Sequence, residues 1–226
     1  MKLGLENKKV FVTGASGGIG QSIYNAFVEE GATVIAPTRS EMDLSDRTSV
    51  DLYISTHDMD VDVFVHCAGI NKLAGIDDVS PEILEQVFNV NYLSAVLLSK
   101  ATTNHMKEAK WGKVIFISSL YSVVSRERRI AYASSKTALT GLCKTLALEL
   151  APYNISVNEV APGYVKTSMT TTNLSMSEIK KITDNIPMGR LQFPEEIADT
   201  VLFLCSERNK SITGQKIVVD GGFLCR

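Results

Sequence analysis

The chain has 226 residues, a length that suits one α/β domain, and its 23 Lys+Arg against 25 Asp+Glu give a formal charge of −2. No basic stripe or block of like charge is present, which excludes a nucleic-acid-binding surface and a charged disordered tail. No apolar run reaches membrane-span length and the N-terminal stretch lacks a signal-peptide core, so a soluble, cytoplasmic protein without a membrane partner is expected.

Short apolar runs alternate with segments of helical period. Val10-Phe11-Val12 predicts a first strand, followed by a Gly-rich turn and a helix over 20–30 closed by Gly31. Thr33-Val34-Ile35-Ala36 predicts a second strand ending at Pro37. The next segment is short, so the crossover is expected to be trimmed to a brief strand around Met42 before a helix over 49–55. Strands at 61–67, 113–117, 155–160 and 216–220 follow, separated by helical patterns over about 82–107, 131–150 and 194–206. Repeated strand–helix–strand order means right-handed crossovers and a parallel sheet covered on both faces. The expected architecture is one doubly wound α/β domain over 1–226.

The turn after the first strand reads Thr13-Gly14-Ala15-Ser16-Gly17-Gly18-Ile19-Gly20. A parallel strand feeding glycines and a helix N-terminus offers backbone N–H groups and a positive dipole end to a pyrophosphate. The glycines at 14, 18 and 20 follow G-x-x-x-G-x-G rather than G-x-G-x-x-G, a variant of the dinucleotide fingerprint. Alone, such a turn also occurs as an ordinary strand–helix connection. At the end of the second strand, where NAD-binding chains place an acid, Pro37-Thr38-Arg39-Ser40 has none before Glu41. Arg39 suits a 2′-phosphate, and Thr38 or Ser40 adds a hydroxyl, which favours NADP(H) over NAD(H). Asp43 and Leu44 are expected beside the adenine.

Tyr132 and Lys136 lie one helical turn apart, with Ser119 thirteen residues upstream. A free phenol has a pKa near ~10, too high for acid–base work at neutral pH, and a nearby ammonium favours its ionised form. Tyr132 is therefore expected to protonate a carbonyl oxygen that Ser119, rather than Ser118, holds by hydrogen bonding. Alone, Tyr-x-x-x-Lys is usually helix surface. The four cysteines (Cys67, Cys143, Cys205 and Cys225) form no C-x-x-C pair, and His57, His66 and His105 have no partners at metal spacing, so neither a disulfide framework nor a metal is expected.

In this order, Thr13-x-x-x-Gly-x-Gly20, His66-Cys67-Ala68-Gly69, Asn91, Ser119, Tyr132-x-x-x-Lys136, Pro162-Gly163 and Asp220-Gly221-Gly222 resemble the landmarks of the short-chain dehydrogenase/reductase family, over nearly the whole chain. The resemblance implies a Rossmann-type sheet of about seven strands and a homodimer or homotetramer. It implies cofactor contacts from Gly14, Ser16, Gly17, Gly18, Ile19 and Gly20, from Ala68 and Gly69, and from Tyr132 and Lys136. Pro162 and Gly163 would turn the chain over the nicotinamide, with Val165 and Thr167 as further contacts. Asn91 would hold a water that relays protons to Lys136. The family usually has Asn-Asn-Ala-Gly where this chain has His66-Cys67-Ala68-Gly69, which changes local hydrogen bonding.

The segment 168–190 carries Met169, Leu174, Met176, Ile179, Ile182 and Met188 at amphipathic spacing, as either a packing helix or a substrate lid. Lys180, Lys181 and Arg190 are too spread there to demand an anionic substrate. The activity implied is NADP(H)-dependent interconversion of a small-molecule carbonyl and a secondary alcohol, of 3-oxoacyl-thioester reductase or sugar/polyol dehydrogenase type. A nucleotide-sugar epimerase or dehydratase fits the length and glycine spacing less well. A dinucleotide sensor without turnover would not need Asn91, Ser119, Tyr132 and Lys136 together. Broad apolar faces on the helices at 82–107 and 131–150 suggest pairing across a two-fold, with Phe223-Leu224-Cys225-Arg226 at a second interface.

Overall fold

The computed structural model describes residues 3–168, 170 and 175–225. Six parallel strands are present: β1 (Lys9–Thr13), β2 (Thr33–Ile35), β3 (Val63–His66), β4 (Gly112–Ile117), β5 (Ile155–Pro162) and β6 (Lys216–Val219), in the order β2-β1-β3-β4-β5-β6. Helices α1 (Gly18–Glu29), α2 (Arg47–Thr56), α3 (Pro81–Phe88), α4 (Ser94–Ala109), α5 (Ile130–Leu150), α6 (Met176–Asp184) and α7 (Pro194–Cys205) connect or follow them.

Every residue of β3 and β4 is buried, which is why these strands read as near-continuous apolar runs. Alternate side chains divide between two cores. Phe11, Phe64, Val114 and Phe116 face one way, against Leu98, Met106 and Leu139 of α4 and α5. Val10, Val12, Val65 and Ile115 face the other, against Ile23 and Phe27 of α1 and Ile197 and Val201 of α7.

The chain leaves β1 for β2 on one side, then returns past β1 to β3 on the other. In an open α/β sheet such a reversal opens a crevice beyond the strands' C-terminal ends. Here that crevice lies above Thr13 and His66, which are register partners in β1 and β3.

The described residues contain six strands, close to the seven expected. The strand expected around Met42 is a turn, with the N–H groups of Glu41 and Met42 both bonding the Thr38 carbonyl at 3.2 and 3.0 Å. Few residues separate β2 from α2, so Met42 reaches the core from a turn and is buried there. The helix expected over 82–107 is α3 and α4 joined through a π turn, Asn89–Leu93.

Candidate active site

The phosphate turn is shaped by close approach. Gly14 has φ +73, and a Cβ there would lie 2.7 Å from the Ala68 Cα. A Cβ on Gly20 would run into the Gly14 carbonyl oxygen, whereas one on Gly17 would meet nothing within 4 Å. No side chain caps the start of α1, so its first N–H groups remain available to an anion.

This turn forms one wall of a cavity of about 550 Å³ at the strand crevice. Gly14, Ser16, Gly17, Gly18, Ile19 and Gly20 line it, as do Arg39, Asp43, Leu44, Ala68, Gly69, Tyr132, Lys136 and Thr167. The volume and the Gly-formed cradle fit a dinucleotide, with phosphates at the α1 N-terminus. Pro37, Met42, Ser45, Cys67, Ile70, Gln86, Val90 and Ser118 also line it, although sequence reasoning assigned them no contact. They sit on turns and element ends that only the folded chain gathers.

The crevice floor is a hydrogen-bonded knot. The Thr13 hydroxyl accepts from the Cys67 and Ala68 N–H groups, each at 3.2 Å, and lies 3.1 Å from His66 Nδ1. An oxygen already accepting two N–H bonds donates its own hydrogen, so Nδ1 is the acceptor and the neutral ring carries its proton on Nε2. Burial pushes His66 down to about 3, reinforced by the Lys136 charge.

Helix α5 carries both Tyr132 and Lys136. Lys136 is buried and donates to the Ile117 carbonyl at 2.8 Å, with Nζ 6.0 Å from the Tyr132 ring centroid. Burial lowers Lys136 to about 8, against the opposing pull of Cys67 and Glu159. The phenol behaves differently from the sequence expectation. Burial raises the Tyr132 pKa, and the groups drawing it down are the Ser119 hydroxyl, by hydrogen bonding, and the Arg129 charge. The ammonium of Lys136 is engaged with Ile117 instead.

Ser119 Oγ accepts from the Tyr121 N–H at 3.2 Å, while Ser118 Oγ turns to the Val160 carbonyl and the Ser122 hydroxyl at 3.4 and 3.5 Å. Asn91 sits within the π turn. Its Oδ1 accepts from the Ile70 N–H at 2.8 Å, and Nδ2 donates to the Ile70 carbonyl and Ser135 Oγ, both at 3.0 Å. A Cβ on Gly69 would stand 3.0 Å from Lys136 Nζ and 3.5 Å from Asn91 Oδ1, so these residues converge at one point. Asn89, by contrast, donates to the Ser45 carbonyl and supports the turn beneath.

At the adenine end, the Thr38 N–H and hydroxyl both donate to Glu41 Oε2, at 2.7 and 2.8 Å. Thr38 is thus occupied by a turn and lies off the cavity lining. Arg39 is exposed and bonds Asp43 Oδ2 through Nε and Nη2, both at 3.2 Å. Pro162, Gly163 and Val165 also lie off the lining. A Cβ on Gly163 would lie 2.7 Å from the Asp220 Cα, so this glycine lets β5 and β6 end side by side. Val165 is buried and bridges to Gln192.

Two members of the apolar face expected in 168–190 point into solvent: Met176 is 83% exposed and Met188 67%. No residue of α6 is buried, and Ile186 just beyond it is. Met169 and Leu174 lie outside the described residues. Among the described residues no cluster could hold a metal ion, and no helix is long and apolar enough to cross a membrane. The arginines at 126, 128 and 129, between Ser119 and Tyr132, were legible in the sequence but are missed when cationic contacts are sought only in 168–190.

A switch-point crevice and a phosphate turn, with Tyr132 and Lys136 on the lining, suit a protein that binds a dinucleotide. A family model described as enoyl-(acyl carrier protein) reductase matches residues 37–224. The 3-oxoacyl-[acyl-carrier-protein] reductase of Aquifex aeolicus is 33% identical over 247 residues, covering 98% of this chain and 99% of that protein. A structure assigned as an NAD(P)-dependent gluconate 5-dehydrogenase from Beutenbergia cavernae, with bound NADP, is 31% identical, with a TM-score of 0.92 and complete coverage (100%) of both chains. The 3-ketoacyl-(acyl-carrier-protein) reductase of Brucella melitensis complexed with NADH is 29% identical, with a TM-score of 0.87 over 97% of this chain and 99% of that one. The chain belongs to the short-chain dehydrogenase/reductase family and is an NAD(P)-dependent dehydrogenase/reductase.

Proposed function

We propose that the protein is an NADP(H)-dependent enzyme interconverting a carbonyl and a secondary alcohol, with Tyr132 as general acid/base and Lys136, Ser119 and Asn91 in support. The observation that carries this reading is that Tyr132 and Lys136 both line the cavity, while the Ser119 hydroxyl, just off the lining, hydrogen-bonds the Tyr132 phenol. The dinucleotide, when bound, supplies or accepts the hydride. Gly14 to Gly20 would hold its phosphates, and Gly69, Tyr132, Lys136 and Thr167 its nicotinamide half.

Ser119 orients the substrate oxygen towards the phenol, and Tyr132 gives or takes the proton there. Lys136 is the nearby proton reservoir, brought into a useful range by burial. Asn91 fixes the loop bearing Gly69 and Ile70 against α5, which sets the depth of the site. Arg39, free to exchange Asp43 for a 2′-phosphate, supports NADP(H) over NAD(H). The relatives give two substrate types, 3-oxoacyl thioesters and sugar acids. The reading includes a single domain over 1–226 with 168–190 as lid, a cytoplasmic location, and a homodimer or homotetramer. The exposed Leu93 and Leu148 support pairing of the helices around α4 and α5.

The test is a carbonyl panel assayed by NADPH and NADH absorbance with Tyr132→Phe alongside. Turnover is expected to fall roughly 10²- to 10⁴-fold with dinucleotide binding retained. Undiminished turnover would remove Tyr132 from the reaction, and Arg39→Asp with an unchanged NADPH preference would remove the cofactor assignment.

A further inference from the structure

The segment between Ser119 and Tyr132 carries three arginines in unlike settings. Arg128 is exposed and paired with Asp78 at 2.8 Å. Arg126 and Arg129, unlike Arg128, have no carboxylate within ion-pair range among the described residues.

Arg129 is half-buried, its guanidinium carbon stands 5.6 Å from the Tyr121 ring centroid, and its Nε is buried without a hydrogen-bond partner. A backbone bridge between Ala74 and Arg129, with the Ala74 N–H on the Arg128 carbonyl at 3.1 Å, fixes the segment. The Arg126 side chain reaches the Tyr121 and Tyr164 phenols, whose oxygens are 2.9 Å apart. The Tyr121 ring meets Tyr132 edge-on with centroids 6.3 Å apart, so both arginines contact a ring that abuts the phenol, and the Arg129 charge acts on the phenol itself. The acid nearest in effect, Glu178 on α6, is held by the Ser175 N–H and hydroxyl at 2.9 and 2.8 Å.

A half-buried guanidinium without a counter-ion is costly, and its planar fork matches a carboxylate. A neutral acyl thioester would leave both cations as they are. We propose that the substrate is an oxo acid, or the corresponding hydroxy acid, whose carboxylate is held by Arg129 with Arg126 while its carbonyl carbon lies at Tyr132. This rests on the carbonyl–alcohol reading above, and it selects the acid type over the thioester type.

The test uses a homologous series of oxo acids, each beside its methyl ester, so that charge is the main difference within a pair. Calorimetric titration into the dinucleotide-loaded protein measures affinity without requiring turnover. Acids are expected to bind at least about tenfold more tightly than their esters. Arg129→Gln should bring that ratio close to one, Arg129→Lys should retain part of it, and Arg126→Gln, at an exposed position that folding tolerates, should reduce it. Arg128→Gln should leave it intact. Equal binding of acid and ester, or a ratio that survives Arg129→Gln, overturns the proposal. If the ratio behaves as expected but no carbonyl is reduced, the anion site stands and the proposed function fails.

Discussion

Asn91 and Ile70 exchange two hydrogen bonds, Ile70 N–H to Oδ1 at 2.8 Å and Nδ2 to the Ile70 carbonyl at 3.0 Å. The pair copies the pattern of two paired strand residues, with a side-chain amide in place of one backbone. It works because the π turn sets Asn91 inward, fully buried, where the 67–70 loop would otherwise end unpaired. Asn91→Ala would orphan both Ile70 groups and the Ser135 contact. Denaturant unfolding should show a loss of about 2–4 kcal/mol, since each unsatisfied buried group costs about 1–3 kcal/mol. A variant as stable as the parent would mean that the loop finds other partners.

The glycines of the phosphate turn should separate by mechanism. Gly14→Ala places a Cβ at positive φ against the Ala68 backbone, and thermal melting should report a loss on the order of 3 kcal/mol. Gly17→Ala meets open space in the free protein, so its melting point should match the parent's. Its Cβ nonetheless borders the cavity, and the rise in melting temperature on adding NADPH should shrink. Equal melting points for the two free variants would contradict the contact geometry.

Much of this was legible before the structure. Strands β1, β3, β4 and β5 follow from apolar runs that end at turn residues, and the turn from Gly14 to Gly20 beside the cavity follows from its glycine spacing taken with the family resemblance. The Met42 turn was not legible, because an isolated apolar residue in a short crossover fits a strand or a plug equally well. Nor was the π turn, a five-residue change of register too short to read from the spacing of apolar residues. The electrostatics of Tyr132 do not follow from spacing for a related reason. Spacing puts Lys136 on the same helical face, but which acceptor holds its ammonium depends on Ile117, from a different element.

Lys136 should leave a signature in alkaline stability. Its folded pKa is lowered to about 8 from an ordinary 10.5. Below pH 8 the lysine is protonated in both states, and burying the ammonium is a standing cost. Between about 8 and 10.5 the unfolded chain binds the proton and the folded chain does not, so stability rises with pH across that window. Relative to Lys136→Met, which has nothing to titrate there, wild-type stability from denaturant midpoints should climb by up to about 3 kcal/mol. Parallel curves for the two proteins would show that the ammonium is better solvated than its burial implies.

His66 should act at the opposite end of the scale. Above its ordinary pKa of 6.5 the ring is neutral folded or unfolded, and it contributes no pH dependence. As pH falls below 6.5 the unfolded histidine takes up a proton, while the folded ring resists until about 3. Stability is therefore lost progressively through that window. Protonation would also put a hydrogen on Nδ1, where the Thr13 hydroxyl now donates, and so disturb the oxygen that holds the Cys67 and Ala68 N–H groups. His66→Asn, the residue the family usually carries here, removes the titration and keeps an acceptor at that point of the sheet. Packing sets the difference between the two proteins at pH 7, so the informative quantity is the slope. By pH 5 the parent should have lost about 2 kcal/mol more than the variant, measured by urea unfolding across the range. Coincident slopes would mean that the folded imidazole accepts its proton as readily as the unfolded one.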